Sequence, residues 1–66
     1  MKNRLKIARA ELDITQEELA KRIGVSRQTI NAVESARYVP STVLALKMAQ
    51  VFDKNVEEIF MLEDED

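Results

Sequence analysis

The chain contains no cysteine and no histidine, and only one glycine, one proline and three aromatic residues among its 66. Without cysteine it can form neither a disulfide framework nor a thiolate metal site, and without histidine it lacks the other usual zinc ligand, so no metal is expected. The same absences remove the common nucleophile and general base of enzymes. No glycine-rich loop is present to cradle phosphate, and the lone serines and lysines have no visible activating partner, which argues against catalysis and leaves no cofactor to expect. A single glycine and a single proline leave little room for hairpins. No apolar run approaches membrane-spanning length, and residues 1–11 lack the apolar core of a signal peptide. The expectation is a cytoplasmic chain with no membrane partner.

The residues that are present are 45% apolar and 33% charged, a composition that suits a folded soluble domain. The length allows one domain, residues 1–66, with a core small enough that assistance from a second copy is plausible. The formal charge of -2 conceals a split. Residues 2–37 hold eight bases against five acids, while residues 38–66 hold two bases against seven acids, four of them in the acidic end at 63–66. A phosphate-facing surface would use the positive half.

Apolar spacing predicts short helices joined by tight turns. Leu5, Ala8 and Leu12 line one face of a first helix over residues 3–12, and Asp13 marks the turn that follows. Thr15 and Glu18 form a capping box opening a second helix, whose inner face is Leu19, Ala20 and Ile23 and which Gly24 ends in a left-handed conformation. Ser26 caps a third helix with Ile30, Val33 and Glu34 inward. A loop over residues 36–40 follows, in which Pro40 biases Val39 away from helix, and Ser41 caps a fourth helix that is apolar around much of its circumference. Asn55 and Glu58 cap a short fifth helix ending near Ile59, and the apolar Phe60, Met61 and Leu62 precede the acidic end.

Residues 16–35 carry the strongest functional signal. Two helices crossing steeply at a short turn need a small residue at the crossing and a residue free to take positive φ in the turn, and Ala20 and Gly24 stand at those positions. Leu19, Val25, Ile30 and Val33 fill the wedge behind them. This is the pattern of a helix-turn-helix. The outer face of its second helix holds Ser26, Arg27, Gln28, Thr29, Asn31, Ala32 and Ser35, with no long acid among them. Arg can fork onto guanine, Gln or Asn can pair with adenine, and Ala or the Thr methyl can touch a thymine methyl. The residue types therefore fit base reading by Arg27, Gln28, Thr29, Asn31 and Ala32 in a major groove. Gln16, at a helix start where free N–H groups favour an anion, is a candidate phosphate contact. Ser26, Arg37, Tyr38 and Ser41 flank the reading helix and are further backbone-contact candidates. Arg9 and Glu34 fall on inward faces and are read as a structural ion pair between the first and third helices, not as catalytic groups.

These residues resemble the small helix-turn-helix repressors of the phage lambda repressor and Cro type, the Xre family. The resemblance covers roughly residues 3–62 and rests on Thr-Gln-Glu-Glu-Leu-Ala at 15–20, Ile-Gly-Val-Ser-Arg-Gln-Thr-Ile at 23–30, Tyr-Val-Pro-Ser at 38–41 and Leu-Ala-Leu-Lys-Met-Ala at 44–49. The compact length and the ending make it especially similar to the minimal, cytolysin-repressor-like members. The resemblance implies an all-α, five-helix domain with possible short terminal β-strands. It further implies a homodimer that binds a pseudo-palindromic operator in double-stranded DNA as a repressor. In the family, Gln16 matches a phosphate-contacting glutamine, residues 27–29, 31 and 32 the reading face, and Arg9 with Glu34 the ion pair. A dimerisation tail at about 59–62 would use Phe60, Met61 and Leu62, whose other reading is simple packing on the last helices. Asp13 and Ala36 stand where many members have glycine, which raises the expectation that both turns differ in backbone. Ala8, smaller than the usual aliphatic, and the apolar Ile7 suggest that the first helix packs differently. The alternatives are an antitoxin or restriction-modification control protein, or a protein-interaction module on the same scaffold.

Overall fold

In the computed structural model, which describes residues 1–66, the chain runs β1 (Lys2–Asn3), α1 (Leu5–Leu12), α2 (Gln16–Ile23), α3 (Arg27–Glu34), α4 (Thr42–Phe52), α5 (Val56–Ile59) and β2 (Phe60–Met61). The helices begin where hydroxyls can satisfy free backbone donors. Thr15, Ser26 and Ser41 each accept from the N–H three residues on, at 3.0 Å from Glu18, 3.2 Å from Thr29 and 3.1 Å from Leu44. The capping box expected at Thr15 is only half formed. Glu18 turns away to pair with Arg22 at 3.0 Å, one helical turn along. At α5 the reciprocal bond does form, with the Glu58 carboxylate accepting from the Asn55 N–H at 2.9 Å.

Left-handed residues close four of the helices: Asp13 (φ 55°), Gly24 (φ 77°), Ala36 (φ 62°) and Asp53 (φ 52°). At Gly24 a Cβ would meet nothing within 4 Å, so the requirement there concerns the backbone alone. The substitutions at Asp13 and Ala36 leave the turns intact. After α3 the Ala36 N–H reaches the Val33 carbonyl at 3.0 Å and the Arg37 N–H reaches that of Ala32 at 2.9 Å, the paired bonds of a Schellman turn.

α1 starts at Leu5, two residues later than its spacing predicts, because Asn3 is taken by other partners. It lies opposite Phe60 in an antiparallel ribbon, with Lys2 opposite Met61. Its amide Oδ1 accepts from the Leu5 N–H at 3.1 Å, and its Nδ2 donates to the Val33 carbonyl at 2.9 Å. The ribbon thus joins the chain ends and ties them to the C-terminal turn of α3.

The core contains Leu5, Ala8, Ile14, Leu19, Ala20, Ile23, Ile30, Val33, Leu44, Met48, Ala49, Phe52, Ile59 and Phe60. Leu12, expected inward, is 44% exposed; Ile14, just past the left-handed Asp13, fills that space instead. α4 is one-sided: Leu44, Met48, Ala49 and Phe52 are buried, whereas Val43 and Leu46 are 63% and 52% exposed. Ile7 is exposed and leaves the inner face of α1 to Leu5 and Ala8. α2 packs chiefly on α3 and also touches α4, so the second helix of the motif is held from behind while its outer side is free.

Candidate nucleic-acid interface

α3 presents Arg27, Gln28 and Asn31 to solvent, with Ala32 and Thr29 half-buried at the edges of that face. The spacing explains the grouping, since residues three and four apart share a side of a helix. Thr29 is less free than its residue type suggests. Its hydroxyl lies 3.0 Å from Ser26 Oγ, so both hydroxyls are engaged in the helix cap and the Thr29 methyl remains the outward group. Asn31 is also bonded, its Oδ1 accepting from Arg37 Nη2 at 2.9 Å.

At the C-terminal end of α3, Arg9 Nε donates to Glu34 Oε2 at 2.5 Å, Nη2 to Oε1 at 3.2 Å and Nη1 to the Ile14 carbonyl at 2.9 Å. This is the ion pair expected from the inward positions of the two residues. The hydrogen bonds to Glu34 hold the Arg9 guanidinium above its ordinary pKa. Gln16 joins it, donating from Nε2 to Glu34 Oε1 at 3.1 Å. One hydrogen of that amide is thereby used, and the second remains for another acceptor. Gln16, Arg9, Thr15, Glu17 and Arg27 line one open polar hollow between the starts of α2 and α3. Gln16 and Arg27, assigned separately from sequence, therefore share a boundary.

On the other side of α3, Thr29, Tyr38 and Ser41 line a shallow hollow with Lys47. Lys47 was not singled out from sequence because α4 reads as a core helix. Its exposure follows from the one-sided burial of α4, which places positions 43, 46 and 47 outside. Ser41 uses its hydroxyl as the α4 cap. Arg37 folds back over the end of α3 rather than extending beside Tyr38.

The three tail residues do not form one patch. Phe60 is 7% exposed and lines an apolar groove with Met1, Val39, Pro40, Ala45, Leu46 and Val56. Met61 faces the opposite side of the ribbon, beside Arg4, Ile7 and Ala8, and Leu62 is 81% exposed. Strand alternation accounts for the division. Val39 and Leu46, the large exposed members of the groove, are the apolar surface that sequence reading missed, because apolar residues run around most of the circumference of α4.

No group of three or more acidic side chains is gathered to hold a metal, and no helix is long and apolar enough to cross a membrane. A family model described as helix-turn-helix matches residues 5–59. Over all 66 residues the chain is 53% identical to an HTH-type transcriptional regulator of Methanocaldococcus jannaschii, covering 100% of both chains. It is 48% identical to an HTH-type transcriptional regulator of Archaeoglobus fulgidus, over 100% of this chain and 93% of the relative. The HTH-type transcriptional regulator YgzD of Bacillus subtilis is 46% identical over 98% of each.

Proposed function

The chain belongs to the helix-turn-helix family of DNA-binding transcriptional regulators, a non-enzymatic class, and from that premise we propose that it is a repressor that binds a pseudo-palindromic operator as a homodimer. The observation that carries the reading is the outer face of α3, where Arg27, Gln28 and Asn31 stand exposed together on the second helix of the motif. Arg27, Gln28 and Asn31 read base edges in the major groove, with Ala32 and the Thr29 methyl making apolar contacts. Gln16 and the start of α2 take a phosphate on one flank; Ser26, Tyr38, Ser41 and Lys47 serve the other contacts to the DNA backbone, and Arg37 adds its charge. Repression follows from occupancy, since a dimer seated in two successive major grooves blocks polymerase access to the same DNA.

Dimerisation is supported by the exposed Val39 and Leu46 around the Phe60 groove, with Leu62 exposed at the end of the ribbon. A self-complementary contact there would be isologous, and the operator would share its two-fold symmetry. Selection of bound sequences from a random duplex pool tests the reading. Two half-sites about one helical turn apart, related by inversion, are expected. Enrichment of a single unrepeated site would refute the symmetric dimer, and no enrichment would refute base reading by α3.

A further inference from the structure

Arg37 is bonded to the end of the reading helix through two side chains. Its Nε donates to Ser35 Oγ at 2.9 Å and its Nη2 to Asn31 Oδ1 at 2.9 Å. Two features place it there. The left-handed Ala36 turns the chain so that the Arg37 N–H meets the Ala32 carbonyl, which brings the side chain alongside the last turn of α3. Ser35 Oγ is itself anchored, donating to the Asn31 carbonyl at 3.0 Å with that of Ala32 at 3.3 Å, so its lone pairs face Arg37.

This arrangement fixes the orientation of the Asn31 amide. A guanidinium has only donors, so the amide must turn its oxygen toward Arg37 and leave its NH₂ group facing outward. The amide oxygen has two lone pairs and keeps one beyond the bond to Arg37, while the outward NH₂ requires an acceptor on the base it meets. Guanine presents N7 and O6, adenine N7 and thymine O4 as acceptors to an outward NH₂; cytosine presents only a donor. We propose that Arg37 is a positioning residue that sets Asn31 with its donor outward, so that Asn31 selects against cytosine at the base it meets, a role that rests on the reading of α3 as the DNA-contacting helix.

The experiment uses the full chain and a selected operator, together with the three alternative base pairs at the position whose preference disappears in Asn31→Ala. Arg37→Lys keeps the positive charge and loses the two-point fork. Ser35→Ala keeps Arg37 and removes the Nε anchor; thermal unfolding checks that each variant is folded. The wild type is expected to disfavour cytosine at that position by about tenfold relative to the preferred base. Arg37→Lys is expected to reduce the ratio to about threefold or less, with cytosine gaining most and the dependence of affinity on salt unchanged. Ser35→Ala should move the ratio in the same direction. An unchanged ratio in Arg37→Lys, with affinity falling equally on every sequence, would make Arg37 a phosphate contact only and overturn the proposal. A wild-type preference for cytosine there, or an Asn31→Ala variant that alters no position, would overturn it as well. Absence of salt-dependent duplex binding by the wild type would instead overturn the DNA-binding reading.

Discussion

Ala36 holds a φ of 62°, a conformation in which an L side chain is strained by about 1 kcal/mol. Ala36→Gly is therefore expected to stabilise the protein by about that amount and to raise its thermal midpoint by a few degrees; an unchanged or lower midpoint would show that the turn carries no such strain. At the reading face, Gln28→Ala is expected to relax preference at one base pair per half-site at a cost of roughly 1 to 3 kcal/mol, measured as the affinity ratio between operator and substituted operator. Gln16→Ala should weaken operator and random duplex about equally, since a phosphate contact carries no sequence information. The exposure of Arg27, Gln28 and Asn31 was legible from spacing, because a helical period alone determines which residues share a side. The bonds that Asn31 and Gln16 make within the chain were not. They depend on a left-handed alanine and on a buried glutamate brought close by the crossing of α1 and α3, and neither is marked by residue type.

Among the elements, the tie between α1 and α3 bears most on the site. Arg9 and Glu34 side chains are 15% and 8% exposed, so Arg9→Met leaves a carboxylate without its cation in a mostly dry place. A loss of about 2 to 3 kcal/mol is expected, somewhat below the cost of breaking a fully buried pair, with part of it recovered when Glu34→Leu is added. Urea unfolding of the two single variants and the double variant measures this; strictly additive losses would mean the pair is not coupled.

A second tie joins the chain ends, where the Met1 amine lies 3.0 Å from Glu63 and 3.2 Å from Asp66. Hydrogen bonds that the amine donates to Glu63 and then Asp66 raise it above its ordinary value, while the Glu63 backbone and then the amine hold the Asp66 carboxyl below its own. The raised amine stabilises fully below its unfolded pKa and loses that contribution as pH rises through the folded value. The lowered carboxyl stabilises above its unfolded pKa and loses it as pH falls through the folded value. Between about pH 7 and pH 10 the wild type should thus lose more thermal stability than the double variant Glu63→Gln, Asp66→Asn. Helix starts were legible because Ser and Thr caps act locally. The start of α1 was not, since Asn3 is recruited by Phe60 and Val33 from distant parts of the chain. The Thr15 box failed because an exposed Glu18 has a competing partner in Arg22 at ordinary helical spacing.

The whole molecule measures 32 × 22 × 20 Å, no longer than the separation of successive major grooves on one side of a duplex, about 34 Å, so two copies fit side by side on that face. α3 has eight residues, about 12 Å of helix, which suits insertion into a groove of about that width. Fold class and the positive half that bears the motif were readable from sequence, since they follow from period and charge order. The apolar groove was not, because Leu46 and Leu44 are the same residue type and only the tilt of α4 in the domain exposes one of them. Leu46→Glu is expected to shift sedimentation toward the monomer and to weaken operator binding while leaving the monomer folded; a variant that still sediments as a dimer would place the contact elsewhere.

The most direct measurement of the central claim is the affinity of the full chain for duplex DNA as a function of salt, on a selected operator and on random sequence. Phosphate contact by the α2 and α3 surface predicts a loss of about a hundredfold between about 50 and 200 mM salt on both, with the operator tighter at every concentration. Affinity that is independent of salt, or equal on the two sequences throughout, would contradict the account.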